Sequence, residues 1–406
     1  MKKRLHPAYW VLGLLLLVAV GRDFLANGRP LYCRVEGEGF WPGVRTMWKG
    51  PNAPFAHPVL DSIRRNELWK TYPYKAAVFA PIPFSPGEKA MPYFSANELP
   101  ARPGTIHPQL SSRFRHWLGT DREGRDVAAA LVAGARVAVL TGLTAMTMAM
   151  SIGLFLGALA GFWGDDRLRL RRGTLWLTLL GLLPAWFYAF VARQYVLSTA
   201  EGTGEWVMSG AIFVGVLLLF RIVGWLLSRF PFFGRVVTVP ADLLIMRLSE
   251  LFNAIPKLIF LFVMVAVLPR GNESFWVLIA LIGAMSWTGV ARFVRADLLR
   301  VRELDYVTAA RGLGLSEARI LWRHALPNAI RATMIAFAFG VAGAVLLEAS
   351  LSFLGLGSTS NASWGALLNN ARSSLKAWWM ALPSGLAICL TVLALNAIGE
   401  RLSENK

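Results

Sequence analysis

The chain has 406 residues, is 55% hydrophobic with 16% charged residues, and has a mean hydropathy of +0.48. These values exclude an ordinary soluble globular domain and indicate a polytopic membrane protein. The formal net charge of +18 does not mark a nucleic-acid binder, because Lys and Arg gather at the ends of apolar runs instead of in one basic domain.

A bilayer-crossing helix needs about 20 mostly apolar residues. Lys2, Lys3 and Arg4 precede the first such run, at 8–25. A cleaved signal peptide has a similar form, but no small-x-small site follows Val20, so residues 1–26 read as a short N-terminus and an uncleaved first transmembrane helix. Residues 27–130, rich in Pro and aromatics (APIPFSPGEKAMPYF) and without a long periodic run, predict an irregular external subdomain over the outer mouth. A spacer and a docking surface for an external partner fit that segment equally. Cys33 lies in it and Cys389 inside an apolar run, which gives neither a disulfide framework nor a thiolate metal site.

Further runs follow at 133–163, within a core-helix segment 131–164, and at 174–197 and 206–227, within 165–240. The run at 258–268 reaches spanning length only if 242–256, with Arg247 and Glu250, leads into it as helix. The last three lie at 275–294, 329–356 and 380–398, giving eight candidate spans, all α-helical, with a short tail at 403–406. Alternating the spans places Arg167, Arg169, Arg171, Arg172, Arg229 and Arg235 on one side, together with the Arg-rich segment after Val294. The opposite loops, STAEGTGE at 198–205 and PRGNES at 269–274, contain one Arg between them. The positive-inside rule then puts both termini in the cytoplasm.

Between the sixth and seventh runs lies a polar plug, DYVTAARGLGLSEARILWRHALPNAI at 305–330. Residues 303–311 predict a short helix that Gly312 and Gly314 break. A second helix begins at Ser316, an N-cap residue, with Glu317 in its first turn. Leu315, Ala318, Trp322 and Ala325 fall on one helical face, while Arg319 and Arg323 lie on another. Pro327 cannot continue that helix but can open the next span. From physics alone, an amphipathic loop on an anionic leaflet and a protein-docking element fit equally.

Glu348 and Asn396 are polar residues inside spans. Glu348 is a candidate for the solute pathway or for pairing with a neighbouring helix, and Asn396 for hydrogen bonding across helices. Arg193 and Arg221 sit near the ends of their spans, where they can snorkel. The five histidines, His6, His57, His107, His116 and His324, show no metal-ligand spacing, so no metal site is assigned. The sequons at Asn272 and Asn361 are short patterns that arise by chance and carry no weight.

Thr308-Ala309-Ala310, three residues, Gly314, nine residues, His324, one residue and Leu326-Pro327 resembles, in its spacing, the EAA loop of permease subunits of binding-protein-dependent ABC importers. The family often has Glu where Thr308 stands and Ile where His324 stands. HWLGTDREGRDVAAALVAGARVAV at 116–139, LLEASLSFLGLG at 346–357, SWGALL at 363–368 and LPSGLAICLTVLALNAIGERL at 382–402 resemble the oligopeptide and dipeptide (second permease) branch. The resemblance covers 116–164 and 242–402. It departs at STSNAS (358–363), where relatives are usually Pro-rich, and in the altered tail GERLSENK. Residues 165–240 lie outside the pattern and read as an inserted transmembrane hairpin packed against lipid, since two crossings preserve the downstream topology.

The resemblance implies a six-helix type I importer core plus that hairpin, in a bacterial cytoplasmic membrane. It implies half of a translocation pathway for peptides or a similar small solute. It also implies a homologous second permease, two cytoplasmic ATPases and an external solute-binding protein as partners. The chain has no G-x-x-x-x-G-K-[ST] loop, so ATP and Mg are expected in partner subunits, with no cofactor here. The coupling loop would occupy 298–328, with Thr308, Ala309, Ala310, Gly312, Gly314, Ser316, Arg319, His324, Leu326 and Pro327 as the contact or turn residues. Gly312 and Gly314 either fix the turn or act as a hinge. A membrane scaffold that keeps the docking loop without transporting is the alternative. An intramembrane enzyme ranks last, since no Ser-His, HExxH or paired-Asp arrangement lies in the spans.

Overall fold

The computed structural model describes residues 6–50, 53–89, 99–106, 110–199, 204–267, 274–357, 362–374 and 376–404. The first lysines, most of the two low-charge loops, both sequon asparagines and most of the STSNAS turn therefore lie outside the described residues. The fold is helical, with strands confined to short pairings. Its elements begin with α1 (Pro7–Val20) and α2 (Arg22–Leu25), split at Gly21. The first apolar run is thus not one long helix. At about 1.5 Å per residue, the 14 residues of α1 fall short of a bilayer core of about 30 Å.

The segment after α2 is more ordered than its composition predicts. Strands β1 (Tyr32–Val35) and β2 (Glu38–Phe40) form an antiparallel pair that β3 (Ala76–Val78) extends on the β1 side. Helices α3 (Pro42–Lys49) and α4 (Pro58–Arg65) each start on a proline, whose fixed φ and missing N–H suit a first turn. Cys33, Val35, Phe55, Leu60, Ile63 and Trp69 form a small core of its own. Strands of three or four residues leave no periodicity to read, which is why the sequence suggested an irregular segment. Strands β4 (Thr105–Ile106) and β5 (Arg115–His116) close the subdomain onto the bundle.

Helix α5 (Val127–Ala158), prolonged by a π-helical turn at Leu159–Trp163, is the mast of the core. Asp126 caps it by accepting from the Ala129 N–H at 2.7 Å. Its small residues let neighbours approach, as expected where helices cannot rely on hydrophobic attraction inside lipid. A Cβ on Gly157 would lie 2.6 Å from the Ala291 carbonyl oxygen, and one on Gly142 2.8 Å from Val341 Cγ1.

Residues 165–240 are a hairpin closed at its base by β6 (Arg169–Arg171), which pairs with β7 (Val236–Thr238). Between them run α6 (Arg172–Trp186), a π turn at Phe187–Val191, α7 (Gln194–Ser198) and α8 (Gly204–Leu227). Helices α6 and α8 pack on each other, with Gly173 facing Gly224 and Gly181 facing Phe220. They bury little of their apolar surface. Arg193 pairs with Glu205, and Arg221 is exposed.

The chain re-enters the core through α9 (Ala241–Ala254) and α10 (Lys257–Val267), which meet at a 74° bend ahead of Pro256. Then come α11 (Ser274–Val301), α12 (Asp305–Gly312), α13 (Glu317–Ile320), α14 (Leu326–Phe353), α15 (Trp364–Arg372) and α16 (Trp378–Glu404). Among the described residues six helices are long and apolar enough to cross a membrane, seven if the bent pair is one span. With the bent pair taken as one span, these and the short α1 are the counterparts of the eight expected spans.

Candidate functional site

The polar plug folds into two short helices seated across one end of the bundle. Val301, Val307, Ala310, Ile320, Leu321, Ala325 and Leu326 are all buried in the main core beside Val294, Leu298 and Phe162. This apolar underside seats the plug on the ends of α5 and α11.

Helix α12 runs to Gly312, and Gly314 takes φ +77°, a left-handed conformation that costs a residue with a Cβ about 1–2 kcal/mol. The Gly314 N–H donates to the Arg311 carbonyl at 2.9 Å, and Leu315 N–H to Ala310 at 3.2 Å. These bonds make a closed turn, so Gly314 sets a fixed corner. Ser316 occupies the N-cap position of α13 as expected, yet its hydroxyl makes no capping bond.

Arg311 holds the corner shut. Its Nε donates to Glu317 Oε1 at 2.9 Å, its Nη1 reaches the Arg302 carbonyl at 3.5 Å, and its guanidinium stands 5.8 Å from the centre of the Phe162 ring. Arg302 in turn donates to the Gly161 carbonyl at 3.4 Å. On the far side, Asn328 Nδ2 donates to Tyr306 Oη at 3.0 Å and to the His324 carbonyl at 2.9 Å. None of these partners follows from the loop's spacing; only the opposite charges of Arg311 and Glu317 hinted at one pair.

The apolar face expected from helical spacing is only partly the face that is buried. Ala318 and Trp322 are exposed and Leu315 is half-buried, while Ile320, Leu321 and Ala325 face inward. Ala318 is exposed ahead of the π turn at Leu321–Ala325, so the offset begins with Ile320 and Leu321, whose larger apolar side chains take the inward face. Backbone helix then continues directly into α14, with Pro327 in its first turn.

The outward surface carries Thr308, Ala309, Gly312, Gly314, Ala318, Arg319 and Arg323, with Leu313 82% and Trp322 62% exposed. Two large apolar side chains thus stand out on a short polar loop, among small residues and arginines, a pattern of surfaces that meet a protein or a membrane. Of the sequence candidates, Ala310 and Leu326 are buried under this surface, and His324 is half-buried. Ser316 and Pro327 are exposed at its edges. A Cβ on Gly312 would meet nothing within 4 Å, so the chain itself does not require glycine there.

At the other end of α5, the segment 116–126 ties the N-terminal subdomain to the bundle. His116 Nδ1 and Asp126 Oδ2 lie 2.7 Å apart, both buried, and the His116 ring stacks on Phe84 at 4.1 Å. Asp121 accepts from Arg125 Nε at 2.9 Å and from Asn370 of α15 at 3.2 Å, while Trp379 of α16 donates to the Thr120 carbonyl. Lys70, its side chain 3% exposed, is bonded to Glu88 and sits 3.7 Å from the centre of the Phe84 ring. Burial depresses its pKa despite that carboxylate.

A cavity of about 770 Å³ opens beside this tie, its lining including Arg29, Lys89, Asp121, Glu123, Ser352 and Ser363. Glu348, 4% exposed, lies beneath, accepting from Ser352 Oγ at 2.7 Å and meeting the Ser363 hydroxyl. Its contacts are hydroxyls on its own helix and at the start of α15. Asn396 is half-buried and makes no side-chain hydrogen bond among the described residues. The bent pair α9–α10 leaves Leu243, Leu244, Leu248, Leu251, Ile259 and Val263 exposed along one stretch.

Comparison with known proteins adds the family. The profile described as "Binding-protein-dependent transport system inner membrane component" matches residues 221–405. A putative peptide permease protein of Brucella suis is 30% identical over 314 residues, covering 75% of this chain and 78% of the relative. The peptidoglycan transport system permease protein YejE of Agrobacterium fabrum is 26% identical over 416 residues, covering 98% of this chain and 88% of the relative. The glutathione transport system permease protein GsiD of Pectobacterium atrosepticum is 28% identical over 291 residues, 71% of each chain.

Proposed function

This chain belongs to the inner-membrane components of binding-protein-dependent transport systems, in the peptide-type branch of ABC-importer permeases, and we propose that it forms half of a solute pathway driven by separate ATPase subunits. It is a multi-pass inner-membrane transport component. The observation that carries the finer reading is the plug between α11 and α14: rigidly seated underneath, with Leu313 and Trp322 held outward.

In this reading the plug is the coupling element, and both termini are cytoplasmic. ATP and Mg are held by two ATPase subunits that grip the exposed face. ATP-driven closure of those subunits shifts the bundle between two states only if they engage the loop differently in each. Because the loop's core contacts run into α5, α11 and α14, movement of the loop carries those helices as a body.

A homologous permease covers the exposed stretch of α9–α10, where uncovered leucines and the bend leave room for a path between two subunits. The N-terminal subdomain, with its own core, receives an external solute-binding protein. The names of the relatives favour a peptide or peptide-like solute, and both signs of charge around the cavity suit a zwitterion.

The test is transport-coupled ATP hydrolysis by the complex reconstituted with its companion permease, ATPases and binding protein. Solute should stimulate hydrolysis in the native complex and not in one carrying Gly312→Trp. Undiminished stimulation in that variant would remove the coupling role from the loop.

A further inference from the structure

The arginines at the base of the inserted hairpin take no part in the coupling surface. Along Arg167–Arg171 burial alternates: Arg167, Arg169 and Arg171 are exposed, while Leu168 and Leu170 are half-buried. This is the period of a strand: Arg169 and Arg171 share one face of β6, their Cα atoms about 6.7 Å apart at two residues per repeat, and Arg167 is exposed just before it. Strand β7 pairs with this strand, placing Val237 opposite Leu170, and Arg235 is exposed at the start of β7. Arg172 stands over Phe232 and Arg229 over Trp225, at 5.2 Å each, and Phe230 and Phe232 are themselves exposed.

Among the described residues none of Arg167, Arg169, Arg171, Arg172, Arg229 or Arg235 forms an ion pair. Asp165 is engaged elsewhere, accepting from the Leu243 N–H at 3.0 Å and facing Arg295. Asp166 is exposed at the base of the ribbon.

The ribbon sits where α6 starts and α8 ends, two apolar helices that pack on each other and otherwise face outward. It is also at the coupling-loop end of the bundle, since Gly164 lies against Arg302. A charge bias that only oriented the hairpin would need no strand, no alternation and no aromatic flank. We propose that this ribbon is a docking surface for anionic phospholipid headgroups of the adjoining leaflet. Guanidiniums clasp the phosphates, and the Phe and Trp rings lie at headgroup depth. The hairpin is then anchored by lipid at its base rather than by packing against the core. This inference does not depend on transport by the complex.

The test uses the purified full chain in nanodiscs of equal parts phosphatidylcholine and phosphatidylglycerol, followed by detergent extraction and quantification of the lipid that stays bound. The native chain should retain phosphatidylglycerol in excess of the input ratio, and high salt should remove the excess. The triple variant Arg167→Gln, Arg169→Gln, Arg171→Gln should lose that excess. Arg167→Lys, Arg169→Lys, Arg171→Lys, which keeps the charge and the hairpin's orientation, should retain most of it. A triple Gln variant in the N-terminal subdomain, at Arg65, Arg102 and Arg115, should leave it intact. Retention at the input ratio by the native chain, or equal losses from the two Gln triples, would overturn the proposal.

Discussion

Arg311 and Glu317 join the two short helices between α11 and α14 through a two-pronged ion pair, Nε to Oε1 at 2.9 Å and Nη2 to Oε2 at 3.4 Å. The pair is partly exposed, so its loss should cost no more than about 1 kcal/mol of stability. Its geometric effect is larger, because Arg311 also reaches the Arg302 carbonyl. Arg311→Gln is expected to leave thermal stability nearly unchanged while lowering solute-stimulated ATP hydrolysis. The charge swap Arg311→Glu with Glu317→Arg should recover part of it.

The two glycines of the corner separate backbone strain from docking. Gly314 has φ +77°, so Gly314→Ala should cost about 1–2 kcal/mol through local strain. Gly312 lies at the helix end with open space around it. Gly312→Trp should therefore insert and fold normally but fail to retain the ATPase subunits on a pull-down through the permease.

Packing of α5 on α11 depends on close approach at Gly157. Gly157→Ala would press a methyl carbon to within 2.6 Å of the Ala291 carbonyl oxygen, and the helices must part to relieve it. A loss of about 1–3 kcal/mol is expected, seen as a lower unfolding temperature in detergent. Gly343→Ala in α14 meets nothing within 4 Å and should be neutral.

Much of this architecture was legible because bilayer physics limits the choices: long apolar runs gave α5, α6, α8, α11, α14 and α16 directly. The corner at Gly314 and the helix start after Ser316 were equally readable, since glycine and N-cap preferences act locally. The face presented by Trp322 was not, because two apolar stripes at helical spacing compete in this segment and the one through Ile320 and Leu321 takes the core side. The subdomain core around Cys33 and Leu60 escaped too, as it assembles residues far apart in sequence from strands too short to show a period. The Asp121–Asn370 and Arg302–Gly161 bonds join segments more than a hundred residues apart, a kind of contact no single-chain pattern encodes.

That subdomain core carries a pH signature. Burial raises the Cys33 thiol from 9.0 to about 11, so between these values the folded state holds a proton that the unfolded state has released. The sign of linkage is then negative: stability is full below pH 9 and falls as pH rises towards 11. Unfolding followed across that window should show a steeper decline in the native chain than in Cys33→Ala.

The most direct measurement is cross-linking between the loop and an ATPase subunit. In a chain with Cys33 and Cys389 replaced by alanine, single cysteines are placed at Ala309, at Trp322, and at Trp48, which is exposed in the N-terminal subdomain. A short thiol cross-linker should join Ala309→Cys and Trp322→Cys to cysteines on the membrane-facing surface of the ATPase, and leave Trp48→Cys unlinked. Cross-linking from Trp48→Cys alone, or from none of the three in a complex that still hydrolyses ATP on solute addition, would contradict the assignment of the loop as the coupling element.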